Sequence, residues 1–541
     1  MLARDRFLLL LVVGVLLAAL SYSLQYLHLM PVAPVGAGPP VGGAKNRKRV
    51  NPVLLTPPPS PDPLAGAYAY CNTPNRTQQT WEGHSPADYQ LLSVHVMIRH
   101  GDRYPLYSIP KTRKPPLDCT LQPKREPTHP LLAGFISHMT RETGDKWDAS
   151  LTSLPRLPNH STCEMGELTQ TGVVQHLRNG QVLRAAYLRG GAVLPEELRG
   201  GQVELETTGK SRTLQSGLAL LYGLLGQWDR GSGSSSGPRV RQHWNALFCG
   251  RRCDCPARQR HLEAEQRRQY RLRVADTRLD HAYISMATAL GVATKVLRAA
   301  NPVDALLCHL CHGLPFPCRV ATGNKKNAST EPARVGGTCL THAHLAQIRR
   351  QQEDDERHRK DAGLYHRYAI LASQPYLERC AARMEHIARG NAPPTEPLLH
   401  LASAHDITMA PLLSALGLEG AGFPSFAARL VMELWRRPPS DGGMNGGKDG
   451  GKNRGRERGR ELKAKRGVFD DLFVRVLYNG EDLTFHTTFC RTHPRHTHTD
   501  GDTHSHTPLC PFSKFLRFVR NDIFAPLNAT SYQQACHATV P

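Results

Sequence analysis

The chain has 541 residues and 40% of them are apolar, so it can fill a sizeable core in one large domain or two ordinary ones. This composition excludes a chain without a folded core. A formal net charge of +22 favours anionic partners such as nucleic acid, acidic lipid, sulfated glycans or phosphorylated substrates, and charge alone does not choose among them.

An apolar segment at residues 7–30 lies close to the amino terminus. It carries no formal charge and is long enough to cross a bilayer as a helix, which predicts a transmembrane signal anchor. Arg4 and Arg6 favour a cytosolic tail of residues 1–6 and a type II orientation. The alternative is a cleaved signal peptide, with a small residue such as Ala18 at the cleavage site.

The next segment, residues 31–66, is rich in proline and glycine and predicts an extended stem in front of a luminal domain of residues 67–541. Its basic residues 47–49 are predicted to be an exposed cluster, and cleavage there by a basic-specific protease is the alternative. The chain has 14 cysteines, which favours an oxidising compartment. Four glycosylation triplets agree with that compartment; they begin at Asn75, Asn159, Asn327 and Asn528.

Two short apolar segments predict buried strands that end beside polar residues. Residues 91–98 end just before Arg99, and residues 398–403 end just before a His-Asp pair that opens a helix. Between them, residues 167–187 begin with a threonine capping signal and continue with helical spacing. The expected fold is α/β, with a central, mostly parallel sheet flanked by helices and a smaller, mainly helical part.

Four polar segments are predicted to lie in solvent. The highly charged stretches at 263–280 and 345–362 are predicted to be solvated helix faces. The Gly/Arg/Lys-rich insertion near 438–466 is predicted to be a solvated loop. The histidine-rich segment at 491–508 has a composition that can capture a divalent metal, but it lacks fixed ligand geometry, so a disordered loop is favoured.

Two groups of cysteines have spacings that also suit zinc ligands: Cys249, Cys253 and Cys255, and Cys308, Cys311 and His312. Disulfides are the favoured interpretation in an oxidising compartment. Their connectivity does not follow from the sequence.

The strongest functional signal is the segment Arg99-His100-Gly101-Asp102-Arg103-Tyr104-Pro105, directly after the first predicted strand. It places an imidazole between two guanidinium groups, with a glycine that permits close approach of a ligand. Arg99 and Arg103 can bind non-bridging phosphate oxygens, and His100 can attack phosphorus through a neutral ring nitrogen. The segment therefore predicts a phosphate site that contains its own nucleophile, at the carboxyl edge of the sheet.

This motif resembles that of the histidine acid phosphatases, a branch of the phosphoglycerate-mutase-like superfamily. The resemblance implies a phosphohistidine on His100, a third phosphate-binding arginine at Arg212, phosphate binding by His405 and proton donation by Asp406. Asp102 occupies a variable position of the motif, so it is expected to be loop structure, with a substrate role as the alternative. No cofactor or metal is expected, because arginines supply the charge stabilisation.

Similarity over nearly the whole chain extends to a Golgi branch of this family that acts in proteoglycan synthesis. It implies a Golgi membrane protein that removes the 2-phosphate of xylose from the glycosaminoglycan linkage oligosaccharide on core proteins. Glycosyltransferases of the same pathway are expected partners, and nucleic acid is not. Two alternatives remain open: a broad-specificity acid phosphatase or phytase-like enzyme, and a non-catalytic glycan-binding pseudoenzyme.

Overall fold

A computed structural model describes residues 62–72, 80–84, 89–141, 153–188, 202–228, 237–320, 339–361, 363–390, 396–437, 469–492 and 509–539, which belong to one compact unit, Leu55–Pro541. The predicted tail and anchor, most of the stem, the loop at 438–466 and most of 491–508 lie outside the described residues. None of the helices described is both long and apolar enough for a bilayer crossing.

The described residues form eight strands and thirteen α-helices. The strands are β1 Gln90–Arg99, β2 Val203–Thr208, β3 Arg239–His243, β4 Leu399–Ala404, β5 Arg429–Arg436, β6 Leu472–Tyr478, β7 Glu481–Asp482 and β8 Cys510–Pro511. The helices are α1 Ala65–Cys71, α2 Leu132–Thr140, α3 Gln170–Tyr187, α4 Ser211–Leu225, α5 Pro256–Ala275, α6 Thr277–Leu290, α7 Thr294–Ala299, α8 Pro302–Cys311, α9 His342–Asp361, α10 Leu364–Ala388, α11 Asp406–Ala415, α12 Phe512–Arg520 and α13 Tyr532–His537. Short 3-10 helices lie at Gly250–Cys253, Glu419–Ala421, Thr484–His486 and Asp522–Leu527.

One mixed sheet organises the fold, with strand order β3-β2-β4-β1-β5-β6-β7 and with β8 paired to β6. The neighbours from β3 to β1 are parallel, whereas β5 runs antiparallel to both β1 and β6. The predicted α/β sheet with flanking helices is confirmed, with the difference that only one half is parallel. Because β2, β4 and β1 are parallel, their carboxyl ends at Thr208, Ala404 and Arg99 lie at one edge.

Apolar side chains cover both faces of the sheet. Along β1, Val96 and Ile98 belong to one buried cluster, whereas Met97 belongs to the cluster on the other face. This double burial explains why the strand is apolar almost throughout. A third cluster, built mainly from α6 to α9, forms the smaller helical part and includes Leu64, so the folded domain begins slightly before the predicted boundary at residue 67.

The predicted elements around the motif agree with the structure. Residues 91–98 lie within β1, and residues 398–403 overlap β4. The predicted helix at 167–187 begins at Gln170, after Thr169, whose hydroxyl accepts a hydrogen bond from the backbone N–H of Gly172. The capping signal in the sequence therefore identified the start of α3.

The charged segments at 263–280 and 345–362 are helical, but they are not wholly solvated. Helices α5 and α9 meet through charged side chains, and Arg273 forms an ion pair of 2.6 Å with Asp355. Glu265 on α5 is 2% exposed. The prediction of solvated faces is wrong on this side of the helices, because their charged residues neutralise each other across the contact.

All 14 cysteines lie among the described residues. Twelve form disulfides: Cys71–Cys311, Cys119–Cys163, Cys249–Cys253, Cys255–Cys536, Cys318–Cys339 and Cys490–Cys510. The disulfide interpretation is therefore confirmed for the two predicted groups, except at Cys308, which is a buried thiol, as is Cys380. Glu167 lies near the sulfurs of Cys119 and Cys163, but their disulfide removes both as metal ligands.

Candidate active site

Strand β1 carries the motif to the edge of the sheet and fixes its backbone from both sides. The N–H of His100 donates to the carbonyl of Ala404 at 2.9 Å, and the carbonyl of His100 accepts from the N–H of Ala427 at 3.1 Å. The residue after β1 is thus held by the end of β4 and by the segment that leads into β5.

Gly101 lies against helix α3. A β-carbon at this position would lie 2.4 Å from the carbonyl oxygen of Gly172, a distance that real β-carbons do not show. The N–H of Gly101 also donates to the hydroxyl of Ser216 at 3.1 Å. The expectation that this glycine makes room for a ligand is therefore corrected, since its close neighbour is the backbone of α3.

The imidazole of His100 is buried and neutral. Its Nδ1 lies 2.9 Å from the carbonyl oxygen of Gly101, and a carbonyl only accepts, so Nδ1 carries the proton and Nε2 keeps its lone pair. Burial, followed by the positive charges of Arg99 and Arg212, lowers the pKa of His100 well below its ordinary value. The candidate nucleophile is therefore in the form that can attack phosphorus.

Arg99 is fully buried and rigidly held. Its guanidinium donates to the carbonyl of Pro424 at 2.6 Å and to the hydroxyl of Tyr70 at 2.7 Å, and it lies 4.5 Å from the ring centroid of Phe426. One carboxylate oxygen of Asp406 lies 3.2 Å away. This arginine is pre-organised by aromatic and backbone contacts.

Arg103 is held by a carboxylate that the sequence did not single out. Its two terminal nitrogens donate to the two carboxylate oxygens of Asp304 on α8, at 3.1 and 2.9 Å. Asp304 also accepts from the N–H of Leu106 at 2.6 Å. Asp304 therefore fixes both the guanidinium and the loop that carries it. Pro302 and Asp304 mark a helix start in the sequence, but nothing there names Arg103 as the partner.

Arg212, at the start of α4, lacks such a partner. Within the described part of the chain it makes no ion pair, and its Nε is buried without an acceptor. Burial, followed by repulsion from Arg103, lowers the pKa of Arg212 to about 10. A cation next to other cations, with no carboxylate of its own, is suited to bind an anion.

His405 joins the same group of side chains at the end of β4. Its ring centroid lies 5.4 Å from that of His100, and its Nε2 lies 2.9 Å from the hydroxyl of Thr208 at the end of β2. Burial and the charge of Arg212 lower the pKa of His405 to about 4. Neutral His405 can therefore contact a phosphate through its other ring nitrogen.

Asp406 begins α11, and its surroundings favour the ionised carboxylate. Burial raises the pKa of Asp406, but Arg99 and the N–H of Ile407 outweigh this effect and hold the pKa below its ordinary value. Proton donation by Asp406, which the family resemblance implies, requires a protonated carboxyl, whereas these contacts favour the carboxylate.

Asp102 is part of the motif, and its side chain is buried. Its carboxylate accepts from the hydroxyl of Thr169 at 2.5 Å and pairs with Nε2 of His312 at 2.7 Å, while its N–H donates to Gln175 at 2.8 Å. Burial opposes protonation of His312, but the carboxylate raises its pKa above the ordinary value. These contacts favour the structural interpretation of Asp102, and His312 is a supporting residue that sequence reasoning assigned only to a cysteine cluster.

The structure describes two of the four predicted glycosylation sites. Asn159 and Asn528 have exposed side chains, which glycosylation requires, whereas Asn75 and Asn327 lie outside the described residues.

The chain is similar in sequence to proteins of one known family. A family model described as Histidine phosphatase superfamily (branch 2) matches residues 90–479. A Danio rerio protein named 2-phosphoxylose phosphatase 1 is 59% identical, with 100% of each chain covered, and the Homo sapiens protein of the same name is 46% identical, with 99% of each covered. Among solved structures, a phytase from D. castellii is 13% identical, with 87% of this chain and 88% of that chain covered and a TM-score of 0.41.

Proposed function

The chain belongs to the histidine phosphatase superfamily (branch 2) and is a phosphoric monoester hydrolase, and from this premise we propose that it removes the 2-phosphate of xylose in the glycosaminoglycan–protein linkage region. The observation that carries the chemistry is the neutral, buried Nε2 of His100 beside the unpaired guanidinium of Arg212. The substrate rests on the full-length relatives, which are named for 2-phosphoxylose.

The reaction proceeds in two steps at this site. The phosphate is bound by Arg99, Arg103, Arg212 and His405. Nε2 of His100 attacks phosphorus, so that a P–N bond forms while the P–O bond to the sugar breaks and Asp406 protonates the leaving oxygen. Water then attacks the phosphohistidine and gives a proton to Asp406. The P–N bond breaks, and inorganic phosphate is released.

Binding of the substrate raises the pKa of Asp406, so that its carboxyl takes up a proton from solvent before the leaving group departs. In the free enzyme Arg99 lies 3.2 Å from the carboxylate of Asp406 and favours its ionised form. A bound phosphate brings negative charge beside Asp406 and takes up hydrogen bonds from Arg99, and both effects raise the pKa of the carboxyl. The group is thus an ion-pair partner before binding and an acid afterwards.

The alternatives differ in what they require of these residues. A non-catalytic glycan-binding protein needs the cationic pocket, but it does not need a neutral imidazole with its lone pair free among three arginines. A broad-specificity acid phosphatase uses the same catalytic groups, so only the choice of substrate separates it from the selective enzyme.

The proposed location is the Golgi membrane, with a type II anchor at 7–30 and the catalytic domain in the lumen. Six disulfides support an oxidising compartment. Glycosyltransferases that extend the same oligosaccharide are the proposed partners. Two measurements test this topology. In intact microsomes the catalytic domain should be protected from added protease, and Asn159 and Asn528 should carry glycans that a glycosidase removes. Digestion of the domain in intact microsomes contradicts the proposal.

The activity is tested with the full-length, detergent-solubilised chain. The wild type and His100→Ala are compared on a phosphorylated linkage tetrasaccharide and on a generic aryl phosphate. His386→Ala is the matched control, since His386 is exposed on α10. Selective release from the glycan that depends on His100 is the expected result. Comparable rates on both substrates indicate the broad phosphatase, and no release from either indicates the binding protein.

A further inference from the structure

Trp244 is a large apolar side chain left in solvent beside the candidate active site. It follows β3 directly and is 79% exposed. Since β3 is parallel to β2, Trp244 leaves the sheet at the edge where Thr208, Ala404 and Arg99 end β2, β4 and β1. The exposed indole therefore lies on the same side of the sheet as the phosphate site.

The backbone connects Trp244 to the phosphate-binding helix. The N–H of Gly209 donates to the carbonyl of His243 at 2.9 Å. Lys210 follows Gly209 and Trp244 follows His243, so this hydrogen bond joins the two segments. Lys210 is exposed and immediately precedes α4, the helix of Arg212. Besides burial, the charge of Lys210 contributes to lowering the pKa of His405, so this positive charge lies near the phosphate pocket.

The loop that carries Trp244 is rigid. The carbonyl of Ala246 accepts from the hydroxyl of Thr408, two residues after Asp406, at 2.6 Å. The side chain of Asn245 accepts from the N–H of Leu247 at 3.0 Å. The indole is therefore exposed on a fixed support, which lowers the entropy cost of binding.

The distance suits a short oligosaccharide. Strand β3 lies two strands from β4, which leads to His405, and three strands from β1, which leads to His100, so the strand ends are roughly 10 and 14 Å apart. These spacings suit a contact between Trp244 and a sugar attached to the one whose phosphate reaches His100.

Other apolar side chains border the pocket. Ile407 follows Asp406 and is 60% exposed, and Met165 precedes Gly166 and is 61% exposed. A β-carbon at Gly166 would lie 3.3 Å from a terminal nitrogen of Arg212. A single exposed apolar residue is ordinary, but Ile407 and Met165 each neighbour a residue of the cationic pocket in sequence or in space, so a ligand in that pocket can also meet apolar surface.

We propose that Trp244 is the platform for a sugar ring next to the phosphorylated xylose, so that the enzyme recognises its substrate as an oligosaccharide. A pyranose offers an apolar C–H face, which packs on the negative face of an indole. Lys210 attracts any acidic group on that sugar. This inference rests on the proposed function, since it extends the same site.

The test compares two substrates of the full-length enzyme: 2-phosphoxylose alone and the phosphorylated linkage tetrasaccharide. Trp244→Ala is expected to lower kcat/KM for the tetrasaccharide roughly tenfold and to leave that for the monosaccharide unchanged. Trp244→Phe should keep most of the activity, because it keeps an aromatic face. Trp81→Ala is the comparison variant: Trp81 is 61% exposed and lies beside Gly480, which follows β6 at the same edge of the sheet but on the other side of β1 from β3. Unchanged activity of this variant on both substrates would place the sugar platform on the β3 side.

A second measurement does not depend on turnover. Titration with the dephosphorylated tetrasaccharide should change the tryptophan fluorescence of the wild type, and this change should be absent in Trp244→Phe. Equal loss on both substrates, or no loss on the tetrasaccharide, overturns the platform. A wild type that releases no phosphate from either xylose substrate overturns the proposed function, and the inference with it.

Discussion

Asp304 binds both terminal nitrogens of Arg103, at 3.1 and 2.9 Å, although 201 residues separate the two in sequence. Asp304→Asn replaces one acceptor with a donor and removes the charge, so Arg103 loses its fixed orientation. We expect kcat/KM for phosphate release to fall about tenfold to a hundredfold, since misplaced phosphate ligands cost catalysis. The inhibition constant of inorganic phosphate should rise with it.

Asp304→Glu is the control for this positioning role, because it keeps the charge and moves it outward. Partial recovery of kcat/KM is expected. If Asp304→Asn leaves both kcat/KM and phosphate inhibition unchanged, Arg103 is oriented by its other contacts and the role is lost.

Arg212 and Arg103 should respond in opposite ways when their charge is removed. Arg212→Met deletes a buried cation without a carboxylate partner, so the free energy of unfolding should rise by about 1 kcal/mol. Arg103→Met leaves Asp304 unpaired, so stability should fall by about 3 kcal/mol. Both variants should bind phosphate more weakly. Thermal unfolding and phosphate inhibition together check the pair, and a destabilised Arg212→Met contradicts the unpaired site.

Activity should persist into acid because His100 resists protonation. Its pKa is lowered by burial and by neighbouring arginines, so the nucleophile stays neutral as pH falls through the ordinary histidine range. The profile of kcat/KM against pH reports groups of the free enzyme. We expect no loss that titrates near 6.5, after correction for the ionisation of the substrate phosphate.

Arg212→Met provides the control for this profile. Removing one of the charges that lower the pKa of His100 should move the acid limb to higher pH. An acid limb near 6.5 in the wild type, or no displacement in the variant, would show that these arginines do not set the protonation of His100.

The parts of the site that could be predicted are those encoded by contiguous residues. The apolar run of β1 followed by Arg99 and His100, and the cap at Thr169, are local patterns, and the structure has them where they were expected. The assembly of Arg212 and His405 beside His100 followed only from the resemblance to a family. The structure explains this assembly, because parallel strands bring separate segments of the chain to one edge of the sheet.

The rest depends on contacts between distant segments. Asp304 and His312 lie on or beside α8, and their partners Arg103 and Asp102 lie some two hundred residues earlier. No periodicity or spacing in the sequence names such a pair. The same holds for Arg273 and Asp355, whose helices were expected to face solvent and instead neutralise each other.

The role of Asp406 predicts a dependence on the leaving group. An aryl phosphate leaves as a stable phenolate and needs little protonation, whereas a sugar alkoxide needs a proton in the transition state. Asp406→Asn should therefore lower kcat/KM, which reports the step that releases the leaving group, by about a hundredfold to several thousandfold for an alkyl or sugar phosphate and much less for an activated aryl phosphate. Phosphate itself should bind at least as tightly, because the variant frees Arg99 from its carboxylate partner at 3.2 Å. Measuring kcat/KM for a series of phosphomonoesters with leaving groups of different pKa checks this, since the variant should show the steeper dependence. Equal losses across the series would mean that Asp406 orients Arg99 and does not donate the proton.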